Sequence, residues 1–322
     1  MNSSVSFRKH GNTTIAAFRA LRDIEAHEVL YTSYLGALEL RSVRLRQKHL
    51  VRTKLFLCSC NACCEPDSFR RMPCPSCIPR DQRTCKVFDE ALLRCTSWPE
   101  GYRNHAVVTP IDATANEWTC RRCQEKFNAD DVFITPTDGS NLSVLSRDGL
   151  QSLADVEQVC EDAVDLIDER IADSSINEND AYIADLLEEV LPFLGTQHWT
   201  SVVLRDIELS QWLSLTNEGA DSKSAHANVK RHGFLVRNEE DLAREIFQEL
   251  IALQEWYDSV GAQSTWGIVS EAATAARLLG IPEELREAVM SVLRQNEVKA
   301  ERDYGADNIA VVELQADIRA LE

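Results

Sequence analysis

Residues 55–77 read LFLCSCNACCEPDSFRRMPCPSC, and the stretch from Cys58 to Cys77 holds six of the chain's 11 cysteines. Thiols at this density are disulfides, redox centres or metal ligands, and their surroundings decide among the three. The opening MNSSVSFRKH lacks the apolar centre of a secretion signal, and no apolar run approaches the ~20 residues that span a bilayer. A reducing compartment, cytoplasmic or nuclear, is therefore expected, where disulfides do not persist. A redox C-x-x-C asks for a thioredoxin-like βαβ context, which the flanking sequence does not offer. Metal ligation is the favoured reading.

The spacing sorts the cysteines into two sets. Cys58, Cys60 and Cys63 form C-x-C-x-x-C. Three thiolates so close can wrap one zinc ion at ~2.3 Å and leave one tetrahedral corner open. Cys64, His10 or water would have to fill it. Cys74-Pro-Ser-Cys77 and Cys120-Arg-Arg-Cys123 are two knuckles, each able to give two ligands to a second ion. An all-thiolate site of this kind is closed and structural. Cys64, Cys85, Cys95 and Cys160 have no partner spacing and are expected as buried thiols.

Outward from the cysteines, TTIAAFRALRDI and EVLYTSYL are rich in β-branched and aromatic residues and predict two short strands. LRSVRLRQKHLVRTK predicts a basic helix carrying Leu40, Val43 and Leu50. TPTDGSNLSVLSRDG has the composition of a linker. Beyond it the periodicity turns helical. Leu153, Val156, Cys160, Ala163 and Ile167 share one face, Asn238 caps a long helix, Ser264 and Gly280 bracket another, and Pro282 opens the next over Leu285, Val289 and Val292. Trp199, Trp212, Trp256 and Trp266 are expected in helix–helix cores. The fold class is α+β: a cysteine-rich front and an all-α back of stacked helix pairs, like a helical repeat array. Four segments follow: 1–54, 55–128, 129–149 as linker, and 150–322.

Charge divides in the same way. Up to Lys126 there are 20 Lys and Arg against 13 Asp and Glu; beyond it there are 14 against 39. The basic front has no base-reading motif, so direct nucleic-acid binding is not expected. The acidic back suits solvated helix faces and basic protein partners. No phosphate-cradling glycine loop or G-x-S-x-G turn is present. His226 and His232, in KSAHANVKRHG, have too little nearby to complete a metal site.

FRALRDIEAHEVLYTSYL, the basic helix and KLFLCSCNACCEP together resemble the carboxyl-terminal part of a SET domain with its post-SET cysteines. The version is that of the SET-MYND (SMYD) protein-lysine methyltransferases; the added PCPSC and EWTCRRC and the helical tail, TPR-like in this family, resemble the arthropod SMYD-A group. The resemblance implies transfer of a methyl group from S-adenosylmethionine to a lysine of a histone or another protein. It implies Tyr34, preceded by Ser33, as the catalytic tyrosine, where a phenol positions the amine. It implies Phe56 against the cofactor adenine, Asn2 as a remnant of a cofactor-binding motif, and zinc at the post-SET cysteines.

The sequence also departs from that family. Of its Asn-His-Ser-Cys-x-Pro-Asn motif only Asn2 and Ser4 remain; Ser3 stands for the histidine and Val5 for the zinc-ligating cysteine. His27 replaces a glycine and Val29 the second acid of a pair. The glycine-rich cofactor segment and the MYND module are missing. The expectation is a methyltransferase-related chain that is inactive in this form and binds S-adenosylmethionine only if the amino-terminal half is supplied. The alternative is a zinc-stabilised helical scaffold for protein partners, whose helices need no metal to stay folded.

Overall fold

The first element is a β-hairpin. The computed structural model describes residues 3–10, 13–74, 76–77, 107–111, 117–131, 152–172, several positions within 183–195, and 197–217, 239–260, 266–306 and 308–322. Strands β1 (Ser3–His10) and β2 (Thr13–Ala20) pair antiparallel, from Ser3 with Ala20 to His10 with Thr13. The second lies where β-branched composition predicts it. The other predicted strand, EVLYTSYL, does not form. Glu28 N–H turns back onto the Glu25 carbonyl, and Leu35 leads into a short 3₁₀ turn, Gly36–Leu40. Among the described residues β1 and β2 pair only with each other, and residues 28–35 run as coil and turn beside no ladder.

Helix α1 (Val43–Lys54) follows. The Ser42 hydroxyl caps it by accepting from Leu45 N–H, and the Asp67 carboxylate accepts from Val43 N–H at 2.6 Å and Phe69 N–H at 3.1 Å. Arg52 and Lys54 in the last turn suit the helix dipole, and Leu55 ends the helix in the left-handed conformation. One turn, α2 (Asn61–Cys64), precedes a four-stranded antiparallel meander of β3 (Met72–Pro73), β4 (Val107–Pro110), β5 (Glu117–Cys120) and β6 (Lys126–Asn128). Trp118, fully buried on β5, stacks on Phe127 of β6 with ring centres 6.5 Å apart.

The rest is helical, as its 3.6-residue periodicity predicts: α3 (Leu153–Ala172), α4 (Trp199–Asn217), α5 (Glu239–Ser259), α6 (Trp266–Leu279), α7 (Arg286–Tyr304) and α8 (Ile309–Leu321). With α1 and α2 that makes eight among the described residues, in an α+β architecture. Val156, Cys160, Ala163 and Ile167 of α3 are buried as one face, and Gly280 closes α6 at φ +73°. Trp199 and Trp256 are buried. The side chains of Leu153, Trp212 and Trp266, and residues Asn238, Ser264, His226, His232 and the segment 132–150, lie outside what is described. No helix among the described residues is long and apolar enough to cross a membrane.

One apolar core runs across the compositional boundaries at 128 and 150. It joins Phe69, Met72, Val108 and Trp118 to Val156, Cys160, Leu186, Trp199, Leu250 and Leu293. Polar ties cross with it. Arg70 is buried and makes a two-pronged pair with Glu157 of α3, at 2.5 and 2.6 Å, while its guanidinium lies over the Trp118 ring at 4.8 Å. His198 Nε2 meets the same carboxylate at 3.0 Å, and Trp199 N–H donates to the Phe69 carbonyl at 2.9 Å. Gly195 takes φ +70° in a place where a Cβ would sit 2.8 Å from the Pro73 ring of β3, so the bare backbone allows this approach.

The helical layer also half-buries acids against each other. Asp206 and Glu208 of α4 and Glu271 of α6 face Glu249 of α5 or one another; Arg205 pairs with Glu249, and Ser210 bonds to Glu271. Burial, and then the Asp206 charge, push Glu271 up to about 9; burial and Glu249 push Glu208 up to about 8. A carboxyl raised on folding binds protons that the unfolded chain has released, so stability falls as pH rises from about 4.5 towards about 9. Glu271→Gln should relieve ~1 kcal/mol at pH 8, a gain of roughly 2–4 °C in melting temperature, and little at pH 5. Thermal unfolding at both pH values checks this; an equal effect at the two would contradict it.

Candidate metal centre

The two knuckles, separated by more than forty residues of sequence, meet at the end of the meander. Cys74 and Cys77 follow β3, and Cys120 ends β5 with Cys123 in the turn towards β6. All four Sγ atoms lie within 4.8 Å of one another. Cys74 Sγ is 3.7 Å from Cys123 Sγ, and Cys77 Sγ is 3.8 Å from Cys120 Sγ. Sulfurs ~2.3 Å from a tetrahedral ion are ~3.8 Å apart, so the spacing fits one four-thiolate ion.

The backbone is arranged for thiolates. Cys120 Sγ accepts from the N–H groups of Arg122 at 3.3 Å and Cys123 at 3.5 Å, and Cys74 Sγ accepts from those of Ser76 and Cys77. The turn closes with Gln124 N–H on the Cys120 carbonyl and Gln124 at φ +60°. Burial pushes the Cys74 and Cys77 thiols up; at Cys120 burial acts the same way, but the amides of Cys123 and Arg122 outweigh it and hold the thiol low. An ion supplies the positive charge that the other thiols need in order to ionise, so affinity rises with pH.

Cys58, Cys60 and Cys63 also converge, with all three Sγ atoms within 4.8 Å. Gln47 of α1 holds this loop from both sides: its Nε2 donates to the Cys58 carbonyl at 2.6 Å, and its Oε1 accepts from Cys58 N–H at 2.9 Å. Arg46 donates to the Ala62 carbonyl at 2.9 Å, bringing a cation beside the sulfurs. Burial pushes Cys63 up to about 12 against the pull of Arg46, whereas at Cys60 burial is outweighed by hydrogen bonds from Cys58, Cys63 and nearby amides, which lower it. Among the described residues no fourth ligand joins this set.

Tyr34 and Phe56 meet edge to face, with ring centres 6.0 Å apart, and Lys54 Nζ lies 5.8 Å from the Tyr34 ring. Both rings are exposed, Tyr34 at 57% and Phe56 at 39%. Asn2, Cys85 and Cys95, and the side chain of His10, lie outside the described residues. Cys160 is buried as expected. Cys64 is a correction: it is exposed and belongs to neither set, because the turn of α2 that points Cys63 inward points its neighbour out. Sequence reasoning missed Gln47, Asp67 and the Arg70–Glu157–His198 group. The first two had only proximity to the cysteines as a signal, and Arg70 lies 87 residues from Glu157.

In comparisons with protein-family models and with curated proteins, nothing matches the chain. The geometry therefore carries the case. Both cysteine sets can hold a metal ion. Elemental analysis of the purified, untagged protein should find up to two thiophilic ions per chain, and Cys120→Ser/Cys123→Ser should remove one of them. Metal-free protein would sink the ligand assignment.

Proposed function

We propose that this chain is a SMYD-like protein of the SET protein-lysine methyltransferase lineage, holding zinc at both cysteine sets. The observation that carries this reading is the contact between Tyr34 and Phe56. The resemblance places one on the lysine side and the other on the adenine side of a single site, and the two meet on an open surface beside Cys58. In the flanking sequence Val29, Leu30, Tyr31, Leu55 and Leu57 are exposed, Leu55 at 86% and Leu57 at 72%. His27, aligned with the family's glycine, keeps a left-handed backbone at φ +68°, the conformation glycine favours. Zinc suits the all-sulfur ligand set. The successive helices α5 to α8, each packed on a neighbour, suit the TPR-like tail of that family.

In this reading S-adenosylmethionine supplies the methyl group and is bound only together with an amino-terminal SET segment. Tyr34 then positions the amine of a protein lysine, from a histone or another protein of the cytoplasm or nucleus. A second reading, a zinc-stabilised scaffold for basic protein partners, draws on the acidic excess beyond Lys126 and on the four-thiolate set seated against the helical core.

Calorimetry tests the first reading. The chain alone should show no saturable S-adenosylmethionine binding. Fused to a segment carrying the glycine-rich motif and the intact Asn-His-Ser-Cys motif, it should bind and methylate lysine. Tyr34→Phe should then cut turnover by roughly 10²-fold or more. A folded fusion that binds no cofactor, or a Tyr34→Phe variant of full activity, would favour the scaffold.

A further inference from the structure

The two cysteine sets differ in closure. Cys74, Cys77, Cys120 and Cys123 supply four sulfurs, with Cys74 and Cys120 buried. Cys58, Cys60 and Cys63 supply three, and their burial is graded: Cys63 inside, Cys58 between, Cys60 exposed. No fourth His, Cys, Asp or Glu donor among the described residues lies within reach, and Cys64, next in the chain, points away as an exposed thiol. The loop is nevertheless held firmly, by Gln47 on Cys58 and by Arg46 on Ala62. A tetrahedral ion on these three sulfurs would have one corner left over by the described donors, and the exposed Cys60 opens the set to solvent, as in sites that exchange a ligand rather than in sites that only hold a fold.

We propose that Cys58, Cys60 and Cys63 form an open zinc site whose fourth position takes an external thiolate. This rests on the metal reading of the three cysteines given above. Three observations select a thiolate over other donors. The ion already carries three soft ligands, and thiolate is the soft donor it prefers. The Arg46 guanidinium, anchored within the turn, offsets the added negative charge. The exposed Leu55, Phe56 and Leu57, directly before Cys58 in the chain, offer apolar surface to the organic part of a thiol. Binding releases the thiol proton to solvent and displaces a water molecule; no electron moves.

Cobalt(II) as the metal probe and glutathione as the thiol test this on the full chain. Cys60→Ala removes an exposed ligand without disturbing the core, so that variant retains only the knuckle site, and subtracting its spectrum from wild type isolates the open one. The difference spectrum should be that of cobalt with three sulfurs and one oxygen. Glutathione should convert it to a four-sulfur spectrum, saturating at one thiol per chain, while the Cys60→Ala spectrum stays unchanged. A difference spectrum that already shows four sulfurs before thiol is added, and ignores glutathione, means that the chain closes the site itself and overturns the proposal. A null difference spectrum means that the three cysteines bind no metal and overturns the underlying reading as well.

Discussion

Arg70 and Glu157 form the contact on which the architecture turns. Both side chains are buried, and a buried ion pair is stable only when its geometry is good and its other hydrogen-bonding groups are met. Here the guanidinium grips the carboxylate with two bonds and lies on Trp118, while His198 takes up the same carboxylate and donates or accepts at Thr200. Burial alone would raise Glu157; the hydrogen bonds of His198 and Arg70 and the Arg70 charge outweigh it and hold the carboxyl far below its usual range. Loss of either partner leaves a buried charge uncompensated, at a cost of ~3–5 kcal/mol.

The position of this pair makes the cysteine knuckles matter to the helices. Arg70 lies just before β3 and Cys74, and Trp118 lies two residues before Cys120. An ion on the four sulfurs would fix the ends of β3 and β5, and with them the aromatic ring under the guanidinium. Phe69 extends the same surface to α5, meeting Trp256 edge to face, while Arg46 covers its other side. Met72, Val108 and Trp118 are thus shared between the cysteine-bearing sheet and the helical array. A meander whose strands run from two to four residues has little cohesion of its own; the helices order it on one side, and an ion on the four sulfurs would order it on the other.

Much of this was legible in the chain itself. C-x-x-C spacing marks a knuckle because a tight turn must bring two sulfurs to one ion, and that local rule singles out Cys74, Cys77, Cys120 and Cys123, whose sulfurs converge. Apolar residues at helical spacing identified the buried face of α3 for the same reason. The failures were non-local. EVLYTSYL has strand composition, but a strand exists only with a neighbour to pair with. Cys64 differs from Cys63 only in which way one turn of helix faces. The expectation that the helices stand apart from the metal rested on charge and composition, which register where polarity changes and not which surfaces touch; Arg70, His198 and Gly195 join the two without a motif. Tyr34 and Phe56 came from resemblance alone, and their contact is information that spacing does not contain.

Joined through Arg70, Trp118 and Glu157, the four-cysteine centre and the helical array should fold as one cooperative unit. The direct measurement is denaturant unfolding of the metal-loaded protein, with helical circular dichroism and metal release to a chromogenic chelator followed on the same samples. Coincident transitions, both moved to lower denaturant by Glu157→Gln, are what this account predicts. Release of the knuckle ion well before the helices unfold, with the helical transition unmoved, would contradict it.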